Sequence, residues 1–331
     1  MMMNYKSRYA AIALFSGGLD SLLAVKWMQK SGYKVFPVYF LTPYMPIDRA
    51  LESAAANGID LIVRDISREH LQMMQDPDVV FGKHMNPCID CHALMFRIAG
   101  DMLDELDAQY LISGEVLGQR PMSQRKDAMN RVANLSGYRD IVVRPLSQKN
   151  LRDTKPITEN WVDKNDMLDI SGRGRYRQLE LAEELGIKSF PAPAGGCLLT
   201  DRNYSLRLKD LLQYSQTDPK DLEYLKYGRH FRLSPGCKLI IGRDEAENLK
   251  IEELIPDTTL KALDITGPLG VISGRCDDPD LLNLALSIFW YYHPKAPNEG
   301  NAIINSALGS STYMCRKADL YTVRKHRLSY D

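Results

Sequence analysis

The chain has 331 residues, 44% of them hydrophobic, and its 42 Lys and Arg are balanced by 42 Asp and Glu. That length is comfortable for two domains and that hydrophobic content can fill a core in each, which excludes disordered and fibrous classes. With a formal net charge of zero, no global field draws a polyanion to the molecule, so any nucleic-acid site has to be a local patch.

The N-terminal MMMNYKSRYA carries some positive charge, but the apolar run after it stops at Phe15, so no signal peptide is expected. No uninterrupted apolar stretch approaches the roughly 20 residues of a membrane span, and a cytoplasmic protein without a membrane partner is expected. From Tyr9 to Leu146 the runs AIALF, KVFPVYFL, DLIVRDI, QYLISGEV and DIVVRPL alternate with longer helical patterns. Such alternation predicts an α/β fold, a doubly wound parallel sheet with helices on both faces and ligands at the carboxyl ends of the strands. Between Asn150 and Gly196 the pattern is helical, with RQLELAEELG capped at Gly186, and FPAPAGGCLLTD then reads as a loop. Two further helices follow, YSLRLKDLLQY and DPKDLEYLKYG. The last hundred residues predict short strands at FRLS, KLIIG and LGVIS and one helix, LLNLALSIFWYYH, as in a smaller α+β domain. The expected division is residues 1–200, a helical connection at 201–228, and a C-terminal domain at 229–331.

The first strand leads into SGGLDS. Gly17 and Gly18 lack the Cβ atoms that would block close backbone approach, so successive amides can point into one concavity at the positive end of the helix beginning near Leu19. Ser16 and Ser21 add hydroxyls. Asp20 is out of place in a loop that binds phosphate alone, and makes sense where Mg²⁺ bridges carboxylate and phosphate. There is no lysine for a transferable γ-phosphate, so this is not the GxxxxGK[ST] loop.

Six cysteines without a secretion signal point to a reducing compartment, where thiols serve metal or redox chemistry. Cys88 and Cys91 in NPCIDCHALMF stand at i and i+3 at the entrance of an apolar helix, on one side of its first turn. A helix N-terminus lowers thiol pKa values. Zinc in a structural site would want four ligands from Cys88, Cys91, His84, His92 and Cys197. Three cysteines without a fourth suit a [4Fe-4S] cluster with one open iron. Two inert buried thiols are the bland alternative. His92 reads as a helix surface residue, and Cys237, Cys276 and Cys315 as packing residues.

SGGLDS after a first strand resembles the PP-loop of the ATP pyrophosphatases, which cleave ATP between the α- and β-phosphates and activate a substrate oxygen as its adenylate. The resemblance covers about the first 200 residues. PAGGCLLTD and NPCIDC resemble the two cysteine segments of tRNA 2-thiouridylases, whereas ISGEVLGQRPMSQ resembles a segment of 4-thiouridine synthetases. The chain thus resembles the tRNA sulfurtransferases while dividing its signature between two branches. It shows no stretch like the THUMP domain of 4-thiouridine synthetases and no rhodanese domain to deliver persulfide.

The resemblance implies that ATP and Mg²⁺ bind at Ser16, Gly17, Gly18, Asp20 and Ser21, with Asp20 on the metal. Phe40 and Leu41 would line the adenine pocket or else pack in the core, and Gly114, Glu115 and Gln119 would stand where the nucleotide sits or else form a plain strand-to-helix loop. Ser123 and Gln124 would meet ATP or the target nucleotide, and Arg144 would meet phosphate or a carboxylate. Sulfur transfer to a tRNA uridine, giving 4-thiouridine or 2-thiouridine, would use Cys88, Cys91 and Cys197, either as ligands of a [4Fe-4S] cluster whose open iron binds hydrosulfide or as a persulfide and its resolving thiols. The partners expected are tRNA and a sulfur donor, sulfide or the persulfide of a cysteine desulfurase, with a homodimer as the assembly carried forward. The alternatives are an adenylating synthetase for a small molecule, of the deazaguanine or NAD synthetase type, and a non-catalytic RNA-binding or redox protein.

Near the C-terminus, CKLIIGRDEAEN and DITGPLGVISG resemble the small RNA-binding module of NFACT-type proteins through Gly242, Arg243, Asn248, Asp264, Gly267, Pro268 and Gly270. The tail CRKADLYTVRKHRLSYD interleaves Arg316, Lys317, Arg324, Lys325 and Arg327 with Tyr321 and Tyr330, which suits phosphate contact and base stacking, or else a solvated end of the chain.

Overall fold

The computed structural model describes residues 6, 8–82, 84–120, 123–192, 197–214 and 219–329. It divides into two compact units, the first Met1–Gly82 with Asn86–Cys197, the second Lys83–Met85 with Leu198–Asp331.

In the first unit, β1 (Ala10–Leu14) leads to α1 (Leu19–Lys30), β2 (Lys34–Leu41), α2 (Asp48–Ala56), β3 (Ile62–Asp65), α3 (Ser67–Gln75), α4 (Cys88–Asp101), β4 (Tyr110–Ser113), α5 (Lys126–Ser136), β5 (Val142–Val143), α6 (Lys155–Thr158) and α7 (Tyr176–Glu184). All five apolar runs of the sequence are strands, in the order β3-β2-β1-β4-β5 and parallel throughout. The fold is therefore the expected doubly wound α/β type. β1 reads as a run of small and branched apolar residues because both of its faces are covered. Ala11 and Ala13 pack toward Leu22, Leu23 and Met28 of α1, while Ala10 and Ile12 pack toward Phe96 and Ile98 of α4 and Val132 of α5. α7 ends as read from the sequence: Gly186 adopts φ +63°, and its amide bonds to the Glu183 carbonyl at 3.0 Å.

Strand order reverses between β1 and β4. Leu14 is in register with Ser113, so the chains leaving these two strands emerge side by side at the carboxyl edge. That is the crevice in which open α/β sheets bind ligands.

The second unit contains α8 (Arg202–Tyr214), α9 (Pro219–Tyr224), β6 (Arg229–Ser234), β7 (Cys237–Ile241), α10 (Glu245–Glu253), β8 (Thr258–Ala262), β9 (Gly270–Gly274), α11 (Pro279–Tyr291), β10 (Glu299–Ser306), β11 (Gly309–Arg316) and α12 (Leu320–His326). Its six strands are antiparallel, in the order β11-β10-β8-β9-β7-β6. α11 supplies Ala285, Leu286, Ile288, Phe289 and Trp290 to a core shared with Phe231, Leu239, Leu260 and Ile272 of the sheet. Its start is set by Asp278, whose side chain accepts from the Asp280 amide at 3.0 Å, with Pro279 behind it. Asn248 on α10 accepts from the Leu269 amide at 2.9 Å and so ties that helix to the entry of β9, which gives one residue of the C-terminal motif a structural purpose. α8 and α9, read from the sequence as a connection, fall within this unit. Among the described residues no helix is long and apolar enough to cross a membrane.

Candidate active site

The loop after β1 is held by its own serines. The Ser21 hydroxyl donates to the Gly18 carbonyl at 2.9 Å and accepts from the Ser16 amide at 3.2 Å, while the Ser16 hydroxyl accepts from the Gly18 amide at 3.4 Å. Gly17 has φ +76°, and a Cβ there would come 2.6 Å from the Ala50 Cα of α2, so both conformation and space require glycine. The first-turn amides of α1 have no intrahelical acceptors and face the carboxyl edge of the sheet with the positive end of the helix dipole. This is a cradle for an anion.

Gly114, the first residue after β4, lies directly against it. A Cβ on Gly114 would stand 2.5 Å from the Asp20 carbonyl oxygen. The following loop is pinned by the Leu117 amide on the Ser147 hydroxyl at 3.0 Å and by the Gly172 amide on the Leu117 carbonyl at 2.7 Å. The second bond draws the start of α7 to the loop. Asp20 is thereby held from two sides, since its Oδ2 accepts from Gln119 Nε2 at 2.7 Å and from Arg175 Nη2 at 3.3 Å. Gln119 Oε1 in turn accepts from Gln178 Nε2 at 2.8 Å. Asp20 Oδ1 is buried with no hydrogen-bond partner among the described residues. A carboxylate fixed through one oxygen, with its other oxygen unsatisfied beside an anion cradle, fits a Mg²⁺ ligand. Sequence reasoning named Asp20 and Gln119 but not Arg175 or Gln178.

Beyond Gly114, Glu115 is buried and pairs with Arg144, Oε2 to Nε 2.8 Å, and with His92, Oε1 to Nδ1 3.5 Å. Burial alone would raise its pKa, but the Arg144 guanidinium and His92 outweigh burial and hold the carboxyl down at about 2. Arg144 also lies over the Phe96 ring, 5.9 Å from its centroid. Of the two roles read for Arg144, the carboxylate partner is the one seen. His92, read as a surface residue, instead ties the cysteine helix to the loop after β4.

Cys88 and Cys91 share the first turn of α4. The Cys88 thiol donates to Asn86 Oδ1 at 2.9 Å. The Cys91 thiol is pushed well above its ordinary range, first by burial and then by Cys197, Cys88 and Asp90. The expectation of an acidified thiol at this helix N-terminus is thus reversed at Cys91, because loss of water outweighs the helix field. The same interactions show that Cys197, far off in sequence, stands near Cys91. Tyr44, from the loop after β2, is fully buried and feels both Cys197 and Cys91, with burial the larger cause of its raised pKa. Its ring packs on His70, centroids 4.8 Å apart, and burial lowers His70 to about 4, so the imidazole is neutral at physiological pH. Tyr44 and His70 had no sequence signal beyond being polar-tipped residues in an apolar layer.

None of the three cysteines is in a disulfide. A thiol raised by two neighbouring cysteines, as Cys91 is by Cys197 and Cys88, belongs to a donor set that a cationic centre relieves by taking its proton. Among the described residues no three His, Cys, Asp or Glu side chains converge on a single-ion site. In donor chemistry, three thiolates without a fourth match what a [4Fe-4S] cluster with one open iron takes. His84 belongs to the second unit. Phe40 is 5% exposed within the core cluster of Ile12, Val38 and Ile66 and offers little surface to a nucleotide. Ser123 and Gln124 are also buried. Residues 193–196 of the Cys197 segment and Tyr330 lie outside the described residues.

Residues 7–153 match the family model described as thiamine biosynthesis protein (ThiI). Residues 228–312 match that of the NFACT protein RNA binding domain. The probable tRNA sulfurtransferase of Agathobacter rectalis is 28% identical over 173 residues, 49% of this chain and 38% of that protein. That of Bacillus pumilus is 27% identical over 174 residues, 50% of this chain and 39% of its own. An uncharacterised protein of Methanocaldococcus jannaschii is 27% identical over 139 residues, 40% and 48% of the two chains. The chain therefore spans less than half the length of these curated relatives. Among solved structures, a 4-thiouridine synthetase–RNA complex with bound ATP aligns with TM-score 0.36 at 20% identity, over 54% of this chain and 52% of that one. The NMN synthetase of Francisella tularensis aligns with TM-score 0.31 at 14% identity, over 58% and 92%.

Proposed function

From a ThiI-type domain over residues 7–153 and an NFACT-type RNA-binding domain over residues 228–312, we propose that this protein is an ATP-dependent tRNA sulfurtransferase that converts a uridine to 4-thiouridine or 2-thiouridine. The observation that supports the reading is that Cys88 and Cys197 both lie within electrostatic reach of Cys91, in the same unit as the SGGLDS loop. Either feature alone has other uses. Together they pair activation of an oxygen with delivery of sulfur.

In this reading the amides around Gly17 and Gly18 and the first turn of α1 bind the phosphates of ATP, and Asp20 presents Oδ1 to Mg²⁺ while Gln119 and Arg175 hold Oδ2 in place. The uridine carbonyl oxygen attacks the α-phosphorus, pyrophosphate leaves, and the oxygen becomes part of an AMP leaving group. Sulfur then adds at the activated carbon and AMP departs with the oxygen. Cys88, Cys91 and Cys197 would hold a [4Fe-4S] cluster, whose fourth iron supplies a binding site for sulfide. Tyr44, backed by His70, forms an apolar wall beside Cys91 and Cys197. A small-molecule acceptor would leave both the thiol set and the RNA-binding module without a task.

Nucleoside analysis of tRNA from a strain lacking the gene tests the function. Loss of 4-thiouridine or of a 2-thiouridine names the product, and retention of both overturns thiolation.

A further inference from the structure

Cys237 opens β7 and is fully buried, whereas Cys276 lies two residues beyond β9 and is half-buried. In the β7–β9 ladder Cys237 faces Gly274. A straight continuation of β9 would carry residue 276 away from Cys237, past the end of β7. The chain bends instead. Gly274 adopts φ +90°, a Cβ there would collide with the Gly236 carbonyl oxygen, and the Arg275 amide donates to that carbonyl at 2.9 Å. Cys276 consequently packs on the apolar cluster that contains Cys237. The two thiols act on each other, which pushes Cys237 up and draws Cys276 below the usual thiol range. Cys276 stands just ahead of α11, where burial and the Asp277 and Asp278 carboxylates oppose the lowering without cancelling it. Neither residue is in a disulfide. Cys315, by contrast, is buried alone, and burial raises its thiol to about 11.

We propose that Cys276 and Cys237 are an oxidant-reactive pair, in which a hydroperoxide oxidises Cys276 and Cys237 closes the disulfide. The Cys276 thiolate attacks the outer oxygen of the hydroperoxide; the S–O bond forms, the O–O bond breaks, and the departing alkoxide or hydroxide takes up a proton. Cys237 sulfur then attacks the sulfenic sulfur. The S–S bond forms, the S–O bond breaks, and the hydroxide leaves as water with the Cys237 proton. Two thiols are oxidised, and the hydroperoxide is reduced to an alcohol, or water, plus one further water. The product staples the start of β7 to the entry of α11 and encloses α10, β8 and β9 in a covalent loop. The pair belongs to the second unit and does not depend on the proposed thiolation.

The full-length chain, reduced and then freed of reductant, is treated with hydrogen peroxide, blocked with maleimide and digested without reduction for mass mapping. The expected result is a linked peptide joining Cys237 and Cys276, a fall of two in thiols assignable to this unit, reversal by dithiothreitol, and an unmodified Cys315. In Cys276→Ser, loss of the Cys237 thiol should slow by about tenfold or more, because the buried sulfur no longer has an oxidised partner to attack. In Cys237→Ala, dimedone should trap a sulfenic acid at Cys276. The proposal is overturned if Cys276 proceeds to sulfinic acid while Cys237 of the unsubstituted chain stays titratable, or if Cys237 is consumed equally fast in Cys276→Ser.

Discussion

At the scale of single residues, the site depends on two carboxylates with different partners. Asp20 leaves Oδ1 without a hydrogen bond and has Gln119 and Arg175 on Oδ2, whereas Glu115 pairs through Oε2 with Arg144 at 2.8 Å and has His92 3.5 Å from Oε1. Asp20→Asn preserves the shape and an acceptor for Gln119 but removes the charge a divalent cation needs. It should lower thiolation by about a hundredfold or more with little change in unfolding midpoint, measured as thiouridine in tRNA from a complemented deletion strain. Glu115→Gln acts on stability instead. It leaves the buried Arg144 guanidinium uncompensated and should cost about 3–5 kcal/mol in denaturant unfolding; adding Arg144→Met should recover much of that loss, and no recovery would mean the pair is not the source. Arg175 shows why part of this site could not be read from the chain. It meets Asp20 across a separation of 155 residues, and nothing in SGRGRYRQ distinguishes such an arginine from one on a solvated helix start.

At the scale of elements, local pattern was informative where an element is buried on a defined face. β1 to β5 were legible because each is a short apolar run bounded by polar or glycine-containing stretches, and α11 because its apolar residues are long and dense. β8, β10 and β11 were not, since TTLKA and GSSTYMCR mix polar and apolar residues, and β11 at the sheet edge is exposed at seven of its eight positions. The tail read as a phosphate-contacting segment or a solvated end contains α12, capped by Asp319 through the Thr322 amide at 2.7 Å. A similar limit applies to Lys238 in β7, a lysine enclosed beside Asp210 of α8 and Arg232 of β6. Burial lowers its pKa to about 7, with Asp210 opposing the shift. Above that value the folded chain has released a proton that the unfolded chain keeps until about pH 10.5, so Lys238 makes stability rise with pH across this window, by at most about 1.4 kcal/mol per pH unit. Lys238→Met should flatten the pH dependence between those limits, measured by denaturant unfolding across pH. An unchanged slope would show that the lysine remains charged.

At the scale of the whole molecule, the thiol set sets the terms. Anaerobically purified protein should carry iron and the visible absorption of an iron–sulfur cluster, and Cys88→Ala, Cys91→Ala or Cys197→Ala should each remove most of both; full iron content in Cys197→Ala would exclude it as the third ligand. The sequence by itself determined the α/β alternation, the anion loop with its aspartate, and the cysteine pair on one helical turn, because those features are written in residues within a few positions of each other. Tertiary structure decided the rest. It placed Gly114 against Asp20, turned Arg175 and Gln178 onto the loop, converted His92 into a partner of Glu115, and brought Cys197 to Cys91 and Cys276 to Cys237. Those contacts arise from strand order and chain reversals that join distant segments, and the energies that choose them, burial of apolar faces and pairing of buried charge, are properties of the assembled core rather than of any stretch of chain.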